Sequence, residues 1–161
     1  MKPSYKETRI LLQNYYHIIN VEIPKITEDI KNKDKELKEI IDALTLTGNK
    51  ISDEVHGSGI SKPVERIAEL KEKILKEFED NLEEISDELT ECNKKKRIYE
   101  KWFKDSKLNT TEMDVIKYTF SDGLTEWKIG NKLGYESRNV RRIRKSALEK
   151  LSLNVLIDVV Y

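Results

Sequence analysis

The sequence predicts an all-α protein, a long coiled-coil-like helical hairpin followed by a small domain of short helices. Apolar residues recur in steps of three and four along two long stretches, the signature of helices with a buried seam. Three prolines and six glycines leave few turning points in 161 residues. Beyond Ser106 the pattern changes to short apolar runs bounded by capping residues. A content of 37% charged and 7% aromatic residues is lean for one thick core and suits long amphipathic helices.

The first helix is read from Tyr5, Arg9, Leu12, Tyr16, Ile19, Ile23, Ile26, Ile30, Lys33, Leu37, Ile40 and Leu44, of which all but Arg9 and Lys33 are apolar. Pro24 lies inside it, where a missing N–H and a ring clash predict a bend near residues 20 to 24. The seam keeps its register across the proline, so the helix is expected to continue. A second seam runs Val64, Ile67, Lys71, Ile74, Phe78, Leu82, Ile85, Leu89, Cys92, Lys96, Tyr99 and Phe103, with a stutter at Phe78. Ser61 and Pro63 mark its start as cap and first-turn residue.

Residues 47–61, TGNKISDEVHGSGIS, read as a flexible connector that lets the two helices fold back antiparallel. Their GSG matches no phosphate-binding loop, and His56 reads as a solvated residue. Residues 1–105 thus form a helical hairpin. Its apolar stripes must be covered, by pairing within the chain, by a homodimer, or by both, because each buried Leu or Ile contributes roughly 1.5–3 kcal/mol.

The composition excludes several classes. One cysteine, Cys92, leaves no internal disulfide and no Cys-rich zinc site, and it suits a reducing, cytoplasmic location. The two histidines, His17 and His56, are far apart, so no metal site is expected. No signal peptide or membrane-spanning run is read. No nucleophile with a base, phosphate loop or carboxylate pair with a partner occurs, so no enzyme and no cofactor are expected.

Residues 106–151 carry the short helices. In LNTTEM, Asn109 caps with Glu112 at the capping-box spacing, and Leu108 with Met113 forms a hydrophobic staple. That helix should turn Val115, Ile116 and Phe120 inward and stop at Ser121–Gly123. Thr125 caps the next, with Leu124 and Ile129 as its staple, and Gly134 ends it. Ser137 is read as the cap of a third helix reaching about Leu151. Two short helices joined by a tight turn form a helix-turn-helix. Gly130 sits where the helices approach closely, and Ile129, Leu133, Val140, Ile143, Ala147 and Leu148 face inward.

Charge is distributed unevenly over this frame. The 30 basic and 30 acidic residues cancel overall, but residues 106–161 carry 10 basic and 7 acidic ones. Between Ser137 and Leu148 there is no acid at all. A helix at about 100° per residue places Val140, Ile143, Ala147 and Leu151 on one side and Arg138, Arg142 and Lys145 opposite, with Arg141 on the flank. Arg144 falls near Val140 and is read as snorkelling or salt-bridged.

The stretch LTEWKIGNKLGYESRNVRRIRKSALEKL resembles region 4 of bacterial sigma-70 factors, including the Ala-Leu-x-Lys-Leu run at Ala147–Leu151. A long charged helical segment followed by this module is similar to phage and prophage transcriptional regulators of the RinA and ArpU type. Two residues depart from the pattern. Gly130 stands where alanine is usual, at a cost of ~1 kcal/mol in helix propensity, and Trp127 takes a commonly charged position, where it either touches a partner or packs at the domain edge.

The resemblance implies sequence-specific binding of double-stranded DNA, with contacts at Ser137, Arg138, Arg141 and Arg142, and regulation of transcription through RNA polymerase. Arginine suits guanine in the major groove, and Asn139 suits adenine. Lys145 shares their outward face, while Thr125, Lys128 and Lys132 are better placed for phosphates. A small terminase-like DNA-packaging protein and a structural coiled-coil adaptor that binds protein are the alternatives. Residues 152–161 form an apolar tail whose covering the sequence leaves open.

Overall fold

The computed structural model describes residues 4–54 and 62–154. Its elements are α1 (Tyr5–His17), a π-helical turn (Ile18–Glu22), α2 (Ile23–Glu54), α3 (Lys62–Asp105), α4 (Thr110–Phe120), α5 (Glu126–Leu133) and α6 (Ser137–Leu153). No strand occurs among the described residues, and the fold is all-α as the periodicity predicts. None of their helices is long and apolar enough to cross a membrane.

Two compact units result, one from Lys25 to Thr90 and one joining the residues up to Pro24 with those from Glu91 onward. The Lys25–Thr90 unit is an antiparallel hairpin of α2 and α3. Lys71 Nζ donates to Thr45 Oγ1 at 2.9 Å, and Lys33 Nζ lies 5.7 Å from the centroid of the Phe78 ring. The predicted seam positions of both helices are half-buried here, and no described residue of the unit is fully buried. Two helices alone can shield one stripe each and no more.

The connector is shorter than residues 47–61, because α2 runs through Thr47 and Gly48 to Glu54. Thr45 and Thr47 turn their hydroxyls back to the carbonyls of Ile41 and Ala43, at 2.8 and 3.0 Å. Gly48 lies beside Ile67 of α3, where an added Cβ would meet Ile67 Cγ2 at 3.8 Å, an ordinary contact distance. His56, the GSG sequence and the Ser61 cap lie outside the described residues, as does the tail beyond Asn154.

The second unit contains every fully buried apolar residue that the structure describes. α1 packs against α4 and α6, and this changes its inward face. Tyr5 and Arg9, expected on the seam, are exposed, while Thr8, Leu11, Leu12 and Tyr16 are buried. Tyr15 also stacks near Tyr99 and Phe103 of α3, with ring centroids 5.4 and 5.0 Å away. Near Pro24, where a bend was expected, the helix continues through a π-helical turn in which the Ile23 N–H bonds the Ile18 carbonyl. The wider turn accommodates a ring that cannot donate to the carbonyl four residues back.

At the other end of the unit, Trp102 is buried and its indole Nε1–H donates to the Leu151 carbonyl at 3.1 Å. This fastens the end of α3 to the end of α6. The Leu151 carbonyl lies in the last turn of α6, where it also accepts from the Asn154 N–H at 3.2 Å.

Candidate nucleic-acid interface

The candidate interface is built on α5, a tight turn and α6, with α4 behind them. Asn109 caps α4 through a complete capping box: its side chain accepts from Glu112 N–H at 2.8 Å, and Glu112 accepts from Asn109 N–H at 3.0 Å. Thr125 caps α5 by accepting from Lys128 N–H at 3.4 Å. Gly134 ends α5 in the left-handed region at φ 75°, which glycine adopts without strain.

Gly130 has a specific reason to be glycine. A Cβ there would lie 2.3 Å from the Tyr135 carbonyl oxygen, in the backbone of the turn. The Gly134 and Tyr135 N–H groups both bond the Gly130 carbonyl, so the turn folds directly onto this residue. Ser137 does not cap α6, contrary to the sequence reading. Glu136 occupies the cap position in an extended conformation without a side-chain cap bond, and Ser137 is the first helical residue. Both the Asn139 and Val140 N–H groups reach the Glu136 carbonyl, at 2.9 and 3.0 Å.

Val115, Ile129 and Val140 form a buried apolar core between α4, α5 and α6, with Tyr118, Leu124, Leu133 and Ile143 packed around it. Ala147, Leu148 and Leu151 continue the buried stripe of α6. This fixes which side of α6 faces out.

The cations of α6 are thereby sorted into two sets. Arg144, whose side chain is 16% exposed, pairs with Glu126, and so does Arg141. The Arg141 pair is a fork: Nε lies 3.2 Å from each carboxylate oxygen and Nη2 lies 2.9 Å from Oε2. Even so, the Arg141 side chain is 70% exposed. Lys150 is held by Glu112 at 2.8 Å, and Ser146 Oγ donates to the same carboxylate at 2.9 Å. Arg138, Arg142 and Lys145 are exposed and have no ion-pair partner among the described residues. They lie within about 60° of one another around the helix and span about 10 Å along it. A major groove is ~12 Å wide.

The other predicted site residues surround this face. Ser137 and Asn139 are half-buried at the start of α6, while Thr125 and Lys128 are exposed at the start of α5. Lys132 is exposed with its Nζ 5.1 Å from the centroid of the Tyr118 ring. Trp127 is 66% exposed on the outer side of α5 and does not pack at the domain edge.

Two carboxylates that the sequence reading did not assign to this surface organise it. Hydrogen bonding from Arg141 holds the Glu126 carboxyl below the usual carboxylate range, against partial burial and with help from Arg144. Glu126 in turn raises the Arg141 guanidinium. Burial pushes Glu112 upward, but bonds from Lys150, the Asn109 backbone and Ser146 together outweigh it and leave its carboxyl lowered. Of the two readings of Arg144, snorkelling or salt-bridged, the structure shows the salt bridge, with the partly buried Glu126 as its partner.

Compared with family models, curated proteins and solved structures, the chain matches none.

Proposed function

We propose that the chain is a sequence-specific, double-stranded DNA-binding regulator of transcription of the phage and prophage type. It lays α6 in the major groove, contacts RNA polymerase as an activator, and dimerises through its helical hairpin. The observation that carries this reading is the row of Arg138, Arg142 and Lys145, unpaired on the outer face of α6 while neighbouring cations are neutralised. A solvated helix gains nothing from grouping like charges.

Arg138 and Arg142 would each offer two donors to guanine O6 and N7, and Asn139 would serve adenine. Thr125, Lys128 and the N–H groups at the start of α5 would hold phosphates and set the register. Dimerisation fits a hairpin unit with no fully buried described residue, since a second copy would cover its half-buried seams.

Fluorescence anisotropy with a duplex selected from a randomised pool tests the reading. Phosphate contacts from Lys128 and Lys132 give a slope of log affinity against log salt of about −1.8 per protomer, steeper where Lys145 also reaches a phosphate. Arg138→Ala and Arg142→Ala should each cost ~1–3 kcal/mol and relax the preference at one base position, whereas Lys128→Ala should shallow the slope by ~0.9. Absence of binding at low salt, or unchanged affinity and base preference in both arginine variants, would overturn it.

A further inference from the structure

Glu126 is the first residue of α5, and its one carboxylate holds the guanidinium groups of both Arg141 and Arg144. The two arginines differ in what the carboxylate does for them. Arg144 is largely enclosed, and an enclosed guanidinium needs a counter-charge. Arg141 is mostly in solvent, where it requires no partner and could reach a phosphate if released. Its forked pairing with Glu126 therefore restrains a cation that would otherwise add to the exposed row. Moreover, the carboxylate stands at the positive end of the α5 dipole, beside the N–H groups that attract phosphate oxygens.

Phosphate contacts supply affinity without sequence information, whereas base contacts discriminate. A residue that withholds one cation and adds one negative charge lowers binding to every sequence and leaves the base-reading row untouched. The geometry points to Glu126 as a positioning residue, which keeps Arg141 off the phosphodiester backbone and so holds down sequence-independent affinity. The inference rests on the proposed DNA-binding role. It deepens that role by assigning the level of sequence-independent affinity to a residue that itself carries no positive charge.

Glu126→Gln removes the charge while its amide oxygen can still accept from Arg144. On a short random-sequence duplex, the variant should bind with a salt slope steeper by about 0.9, the value of one added phosphate contact. Extrapolated from 1 M to 50 mM salt, that slope corresponds to about fifteenfold tighter non-specific binding. Affinity for a selected duplex should rise by the same factor, so the preference for it over the random one should not change. The gain should vanish in Glu126→Gln combined with Arg141→Ala, measured against Arg141→Ala alone.

If Glu126→Gln does not fold by circular dichroism, Arg141→Lys replaces it. That variant leaves Glu126 to Arg144, keeps the positive charge and loses the forked clamp, and it should also steepen the slope. An unchanged slope in the folded variant, or a gain that survives Arg141→Ala, refutes the positioning role while wild-type binding leaves the broader reading standing. No binding by wild type or variant at low salt refutes both.

Discussion

Gly130→Ala separates what local helix propensity predicts from what the turn requires. Propensity alone predicts that alanine stabilises α5 by ~1 kcal/mol. In the structure, the added Cβ would meet the Tyr135 carbonyl oxygen at 2.3 Å and the Tyr135 carbonyl carbon at 3.4 Å. Comfortable non-bonded separations start near 3.5 Å for carbon, so the turn must retreat by about 1 Å. Overpacking of that kind costs ~1–3 kcal/mol. Retreat also weakens the bonds from Gly134 and Tyr135 N–H to the Gly130 carbonyl, at ~1 kcal/mol. After the propensity gain is subtracted, Gly130→Ala should destabilise its unit by about 1–3 kcal/mol. Gly48→Ala is the matched control, because its Cβ would meet only Ile67 Cγ2 at an ordinary 3.8 Å. It should stabilise the hairpin unit by up to ~1 kcal/mol. Urea denaturation followed by tryptophan fluorescence reports the unit holding Trp102 and Trp127, and circular dichroism reports both units. A Gly130→Ala midpoint equal to or above wild type would refute the close-approach argument.

Three further outcomes concern the packing and the ion pairs around α6. Trp102→Phe removes the indole donor from the Leu151 carbonyl and leaves space in a closed site, so thermal denaturation should show a loss of about 2–4 kcal/mol, with Trp127 still available as a probe. Glu112 and Glu126 both have lowered folded-state pKa values, so their contribution is fully present above the ordinary value of 4.5 and is lost as pH falls through the lower folded values. Melting temperatures should therefore decline as pH drops below about 4.5, and Glu112→Gln should be less stable at neutral pH with a flatter acid limb.

The hairpin seams, the Asn109 and Thr125 caps and the Gly134 turn were legible because each depends on residues within a few positions of one another. Periodicity identified every half-buried position from Val64 to Leu89. The start of α1 was not legible in the same way. Tyr5 and Arg9 continue the arithmetic of the seam, but α1 is covered by α4 and α6, more than ninety positions away, and these select Thr8, Leu11 and Leu12. Ser137 failed as a cap for a smaller reason: the chain enters α6 one residue earlier, and the Glu136 backbone already stands where a cap would. Gly48 misled in the opposite direction, since a glycine in a polar run reads as a break unless the neighbouring helix is known.

Glu126 shows what kind of information a helical wheel lacks. The wheel removed Arg144 from the exposed face correctly, because that decision needs only the apolar stripe of α6. It left Arg141 among the outward residues, because the partner that restrains it belongs to another helix. Of the α6 cations, Arg141, Arg144 and Lys150 are taken by two carboxylates, each projecting from the first turn of a preceding helix. First-turn acids are favoured by the helix dipole whatever their partners. Placed at the starts of α4 and α5, they serve at once as capping-region charges and as counter-ions for α6. The arrangement ties the charge pattern to the packing of the three helices: any shift of α5 against α6 moves Glu126 relative to Arg141 and changes how many cations the outer face presents. Packing and charge at this surface are therefore one property, and a substitution in the turn at Gly130 should be felt in both.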